Sequence, residues 1–139
     1  MRSARGLMLA YTATIADPDA TAALFADDGV IELPYLASIG LPPRIAGPDE
    51  IRAFIVGLLK MVPDFGFDHV AIFIDTPDQA FGEYSVDRST VTGRPFSQTY
   101  AGRLVAEQGK IKLLRESLDL VRAARAVLPN GVADIPAHG

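Results

Sequence analysis

The stretch "QAFGEYSVDRSTVTGRPFSQTYAGRLVAEQGKIKLLRESLDL", Gln79 to Leu120, decides the fold class. Its apolar residues recur at every second position in three runs, the period of a half-buried strand. The breaks fall around Thr92-Gly93 and at Glu107–Lys110. Turns that short join only neighbouring antiparallel strands, so the stretch reads as a meander. Upstream, "FDHVAIFID" (Phe67–Asp75) has the same period and is separated from the meander only by Thr76–Asp78, which makes a fourth strand. Downstream, Asp119 is placed to cap a last helix over Leu120–Leu128.

Ahead of Pro63 the period is helical. Leu7, Tyr11 and Ile15 recur at four-residue spacing, which predicts a helix from Ser3 to Ala16. Asp17 and Pro18 form an N-cap and first helical position, and a short helix is expected over Ala20–Phe25. Gly29 then releases the chain into a strand, "VIELPY", and a brief strand is expected at Arg44–Ala46. Pro48, Asp49 and Glu50 start a helix whose buried stripe is Ile51, Phe54, Ile55, Leu58 and Leu59. Helices first and a run of antiparallel strands after them is an α+β layout: one curved, mainly antiparallel sheet wrapped around the N-terminal helices. A single domain over residues 1–139 is expected, with residues 129–139 an extended or partly disordered tail.

Composition narrows the function. The formal net charge of −4, with no Lys/Arg stripe, speaks against a nucleic-acid partner. Absence of cysteine removes disulfides and thiolate chemistry. Two histidines, His69 and His138, stand without ligand spacing, so no metal and no cofactor is expected. No apolar run approaches the roughly 20 residues that span a bilayer. "MRSARGLMLAYTATIA" starts like a signal peptide, but Tyr11, Thr12 and Thr14 interrupt its apolar run, and a cytoplasmic protein is expected. "DFG" at Asp64–Gly66 lacks every other kinase element and reads as a helix end.

Several polar residues lie on apolar faces. Glu116 is in phase with Leu114 and Leu118, whereas Arg115 is in phase with Leu113 and Ser117. Two readings of Glu116 follow. Either it looks into the protein, with a raised pKa suited to general acid/base work, or it pairs at the sheet surface with Arg115, Arg103 or Lys112. Tyr11, on the apolar stripe of the first helix, is either a core tyrosine bonded to a carbonyl or a donor to a ligand oxygen. Glu32 reads as a solvated or interface carboxylate and His69 as a structural or rim residue. Parity alone leaves open whether Glu83 or Tyr84 points inward.

Three strings carry a resemblance: "YTATIADPDATAALFADDGVIELP", "RIAGPDEIRAFI" and "TGRPFSQTYAGRLVAEQGKIKLLRESLD". Together they resemble the nuclear-transport-factor-2-like (NTF2-like) superfamily, nearest its SnoaL-like cyclases, ketosteroid isomerases, limonene-epoxide hydrolases and phenazine-biosynthesis A/B proteins. The resemblance implies a cone of curved sheet closed by helices, paired into homodimers through the outer sheet face. Against the ketosteroid isomerases, Tyr11 falls on the oxyanion-hole tyrosine, Leu33 on the catalytic-base aspartate, and the second acid lands near Ala101. Against the epoxide hydrolases, Glu116 falls on one catalytic aspartate. Ile31 and Leu33 replace the water-holding tyrosine and asparagine there, and Asp87 and Glu83 are the candidates for the other acid. Against the phenazine proteins, Glu116 falls on the catalytic glutamate and Phe54 on the pocket histidine. The resemblance therefore implies an enzyme of isomerase, cyclase, dehydratase or hydrolase type, acting on a small apolar or aromatic molecule. Glu116 and Tyr11 are its expected catalytic residues, in a pocket of Ile15, Ile31, Leu33, Phe54, Leu58, Tyr100 and Leu114. The alternative is a non-catalytic binder of an apolar ligand or an accessory dimerisation domain.

Overall fold

In the computed structural model, which describes residues 1–137, the Ser3 hydroxyl accepts the Gly6 N–H at 3.1 Å and starts α1 (Ala4–Thr14). Ala4, Leu7, Met8 and Tyr11 form its buried stripe, as the four-residue spacing requires. The Asp17 carboxylate accepts the Ala20 N–H at 3.1 Å and caps α2 (Pro18–Ala22).

The helix expected over Ala20–Phe25 starts earlier and ends earlier than the sequence suggested. Strand β1 (Phe25–Glu32) begins at Phe25 instead of beyond Gly29. Tertiary pairing overrides local propensity here: the Ile111 N–H donates to the Leu24 carbonyl at 2.8 Å, and Phe25 packs edge-on against Tyr11. A 3-10 helix (Pro34–Ile39) follows, then β2 (Arg44–Ala46), at the position read from the sequence. Helix α3 (Pro48–Met61) buries Ile51 and Ile55 completely. Its other expected core residues do not follow them. Phe54 is 37% exposed and Leu58 half-buried, because that side of α3 borders a cavity instead of the packed core, and Leu59 packs on the core only in part.

Strands β3 (Asp68–Asp75), β4 (Gln79–Ser89), β5 (Pro95–Glu107) and β6 (Lys110–Ser117) form the antiparallel meander. β6 then pairs in parallel with β1, and β1 pairs antiparallel with β2. The six-stranded order is β2-β1-β6-β5-β4-β3, with β2 and β3 as free edges. Register shifts interrupt the β1–β6, β3–β4 and β5–β6 ladders. Each adds bend and twist, and together they curl the sheet around α1 and α3 without closing it.

Parity is settled by what the sheet packs against. Ala80, Tyr84 and Val86 of β4, Phe96, Tyr100 and Leu104 of β5, and Leu114 and Glu116 of β6 face the buried concave side. Glu83 and Arg115 face out. Asp119 accepts the Arg122 N–H at 3.1 Å and caps α4 (Leu120–Val127). Past it, Gly131–Asp134 forms a 3-10 turn and Ile135 packs on the core, so the described part of the tail is not simply extended. His138 and the end of the tail lie outside the described residues. No helix among the described residues is long and apolar enough to cross a membrane.

Candidate active site

An apolar cavity of about 610 Å³ lies between the concave sheet, α3 and α4. Leu33, Leu36 and Ile45 form one wall, Ala53, Phe54, Leu58 and Met61 of α3 a second, and Phe96, Gln98 and Tyr100 of β5 a third. Leu118, Ala123 and Val127 bring in the start and one face of α4. Gln98 holds that corner: its amide donates to the Asp119 carbonyl at 2.8 Å and accepts the Asp119 N–H at 2.8 Å. Its polar atoms are thus spent on fixing α4 against β5.

Of the expected pocket residues, Leu33, Phe54, Leu58 and Tyr100 line this cavity. Ile15, Ile31 and Leu114 are packed into the surrounding core. Glu116 and Tyr11, each 3% exposed, stand behind the cavity wall and not in it. The geometry places Glu116 directly beneath the floor. It pairs across the sheet with Gly102, and Tyr100 lies two residues before Gly102 on the same face. Leu118 lies two residues beyond Glu116, just past the end of β6. Leu33 follows Glu32, the residue paired with Arg115 in the parallel ladder, as Glu116 follows Arg115. Leu33, Leu118 and Tyr100, the near neighbours of Glu116 in register and sequence, all belong to the cavity lining.

The surface ion pair allowed by the sequence does not form. Arg115 donates to Glu32 at 2.9 Å on the outer face, and Lys112 pairs with Asp28. Glu116 instead accepts a hydrogen bond from the Tyr84 hydroxyl. Tyr84 is one corner of an aromatic cluster: it stacks on Tyr100 at 5.9 Å and meets Phe67 at 4.9 Å and Tyr11 at 6.5 Å. Every side-chain nitrogen or oxygen in the described residues that is wholly cut off from solvent has a hydrogen-bond partner. The Tyr11 and Tyr100 hydroxyls and the second Glu116 oxygen make no hydrogen bond to the described residues, so each keeps an open side.

Burial dominates the electrostatics. Removal from water pushes the Glu116 carboxyl from 4.5 up to about 7, against the opposing pull of the Tyr84 hydrogen bond. Burial also drives the Tyr11, Tyr84 and Tyr100 hydroxyls upward, and the nearby Glu116 charge adds to each rise. All three phenols are therefore neutral donors over the working pH range. A carboxyl that titrates near neutrality among neutral donors can accept or deliver a proton, and the phenols can bond to a developing oxyanion.

The sequence pattern leaves Tyr84 undecided against Glu83 and does not single out Gly102 or Gln98. Gly82 and Gly102 carried a usable signal, since an isolated glycine inside a strand pattern marks a close approach of other groups. They pair with each other across β4 and β5. A Cβ on Gly102 would strike the Tyr84 ring. His69 is exposed at the start of β3, with a left-handed φ of 52°.

No curated protein is significantly similar to this chain. Among solved structures, a candidate isomerase from Bacillus subtilis superposes with a TM-score of 0.78 at 23% identity, over 88% of this chain and 91% of that one. A phenazine biosynthesis-related protein from Pseudomonas aeruginosa gives 0.77 at 24% identity, over 89% and 84%. A Catenulispora acidiphila protein with a ketosteroid isomerase-like fold, solved with trimethylamine, gives 0.72 at 20% identity, over 88% and 93%. At these identities the likeness is one of fold. The sequence pattern of the SnoaL-like domain family matches residues 8–114, from the middle of α1 into β6. With that match over most of its length, and with the open, curved six-stranded sheet and its helices, the chain belongs to the SnoaL-like domain family.

Proposed function

We propose that the protein is a cofactor-free enzyme that moves a proton within a small apolar or aromatic substrate, in an isomerase- or cyclase-type reaction. The observation that carries this reading is Glu116: a carboxyl titrating near 7, bonded on one oxygen by Tyr84, beneath the floor of an apolar cavity. The cavity volume of about 610 Å³ suits a ligand of one to a few rings. In this proposal the substrate enters by displacing the lining at Tyr100 and Leu118, and Glu116, as carboxylate, then takes a proton from a carbon beside the substrate carbonyl. The electrons of the broken C–H bond form a C=C bond and the carbonyl π electrons move to oxygen, giving an enolate held by the Tyr100 hydroxyl of the cavity wall, with Tyr11 a second donor once the substrate has displaced that wall. Returning the proton to another carbon isomerises the substrate. Attack of the enolate carbon on a second carbonyl closes a ring, and Glu116 then gives its proton to the new alkoxide. Membership of the SnoaL-like family supports the reaction class, and no step requires a metal or redox group.

Glu116→Gln keeps the shape and removes the titrating proton. Screened over ketones, lactones and epoxides, the wild type is expected to turn over at least one class, and the variant to be slower by about 10²–10⁴-fold. A second reading, a binder of an apolar ligand without catalysis, is favoured by Leu33, which places an alkyl group where the isomerase resemblance expects a base. Tight binding with no turnover in the wild type would refute the catalytic reading in its favour. The proposal includes a cytoplasmic homodimer paired through the outer sheet face, where Ile74 and Phe81 sit cross-strand with 68% and 39% exposure.

A further inference from the structure

Glu116 is the only ionised or ionisable carboxyl in the buried set of the described residues, and its partner comes from two strands away. β4 and β6 do not touch; β5 lies between them. For a β4 side chain to reach a β6 carboxyl across the concave face, the intervening β5 residue must not rise between them. That residue is Gly102, which pairs with Gly82 on one side and with Glu116 on the other. A Cβ built at Gly102 would overlap the Tyr84 hydroxyl and lie 3.1 Å from two of its ring carbons. Gly102 has no left-handed φ to explain the glycine, so the requirement is room for that phenol.

We propose that Tyr84 is the positioning residue for Glu116 and that Gly102 is the gap through which it acts. The Tyr84 phenol lies over Gly102 and donates to one carboxyl oxygen. This fixes the plane of the carboxyl and leaves its other oxygen as the one that exchanges a proton with substrate. The stack of Tyr84 on Tyr100 ties the same phenol to the cavity wall, so the acid and the wall are held by one side chain. The groups facing Glu116 are Tyr11 from α1, Tyr84 from β4 and Tyr100 from β5; Glu32 and Arg115 lie on the opposite face, bonded to each other. No cation among the described residues competes with the neutral Tyr84 phenol for the carboxylate.

This inference rests on Glu116 as the proton-transfer group, but its test needs no substrate. The Glu116 carboxyl carbon is followed through a pH titration by carbon-13 NMR on glutamate-labelled protein, with Glu116→Gln identifying the signal. Tyr84→Phe keeps the ring and removes the donor. Loss of a hydrogen bond to a charged acceptor is expected to raise the midpoint by about one to two pH units. Gly102→Ala displaces the phenol and is expected to raise it comparably, and the double variant should go no further than Tyr84→Phe alone. Gly82→Ala is the steric control. Its Cβ would meet the Ala71 carbonyl, Ile72 and Met8, not Tyr84, so it should lower stability and leave the midpoint in place. An unmoved midpoint in Tyr84→Phe overturns the proposal, as does a Gly102→Ala protein that behaves like Gly82→Ala. Should Gly102→Ala not fold, Tyr84→Phe decides alone. Shifted midpoints in a protein that turns nothing over would remove the enzymatic reading and leave the positioning role standing.

Discussion

Replacing Glu116 by Gln should make the folded protein more stable at alkaline pH and leave it nearly unchanged in acid. In the unfolded chain the carboxyl titrates near its ordinary 4.5, and in the fold burial raises it to about 7. Below pH 4.5 both states carry the proton and no penalty exists. Between the two values the unfolded chain has released its proton while the folded one retains it, so stability falls by about 1.4 kcal/mol per pH unit. Above pH 7 both are ionised and the loss levels off. A rise from 4.5 to about 7 gives a total of roughly 3 kcal/mol. Glutamine cannot titrate and still accepts the Tyr84 hydrogen bond through its carbonyl oxygen, so the variant escapes this loss. The assay is urea unfolding of both proteins from pH 4.5 to 8.5, followed by far-ultraviolet circular dichroism because the chain has no tryptophan. Exposed carboxylates are common to both and cancel in the difference. A wild-type-minus-variant difference that is flat across this range would refute the reasoning, because it would mean that Glu116 has the same affinity for protons in both states.

Two further outcomes are expected. Leu33→Trp pushes an indole into the cavity that Leu33 borders, and should weaken binding of an apolar dye such as Nile red by about tenfold, ~1.4 kcal/mol, with the circular dichroism spectrum retained. Undiminished dye binding would place the ligand site elsewhere. Phe81→Lys puts a charge on the outer sheet face beside Ile74, and should weaken homodimer association by about 2 kcal/mol or more, read as a shift to monomer in sedimentation equilibrium. A dimer that persists at equal strength would move the interface off this face.

Much of the fold is legible in the chain because its signals are local. The period-two runs from Phe67 to Leu118 and their short breaks specify the meander. Asp17 and Asp119 cap the helices they precede, and Arg44–Ala46 is the strand that its Gly/Pro surroundings allowed. The misplacement came where a local signal competed with a distant partner. Residues 25–28 look like the end of a helix and a loop, but β6 recruits them into β1. The stripe of α3 was read as uniformly buried, since helical periodicity identifies a face without saying whether packed core or a cavity lies opposite it.

The site divides in the same way. The sequence by itself singled out Glu116, because a carboxylate in phase with Leu114 and Leu118 is anomalous on an apolar face, and it put Tyr11 on the core stripe of its helix. Alternation sorts a strand into two faces but cannot say which faces inward, so Tyr84 and Glu83 stayed equivalent until the sheet was packed against α1. Only the tertiary structure brought together Tyr84 and Glu116, 32 residues apart in the chain, over a glycine on a third strand. Only it separated the acid from the surface arginines and buried it. The physical reason is that a pKa near neutrality and a partner two strands away depend on burial and on cross-strand register, and both arise from the sum of long-range contacts and not from any local pattern.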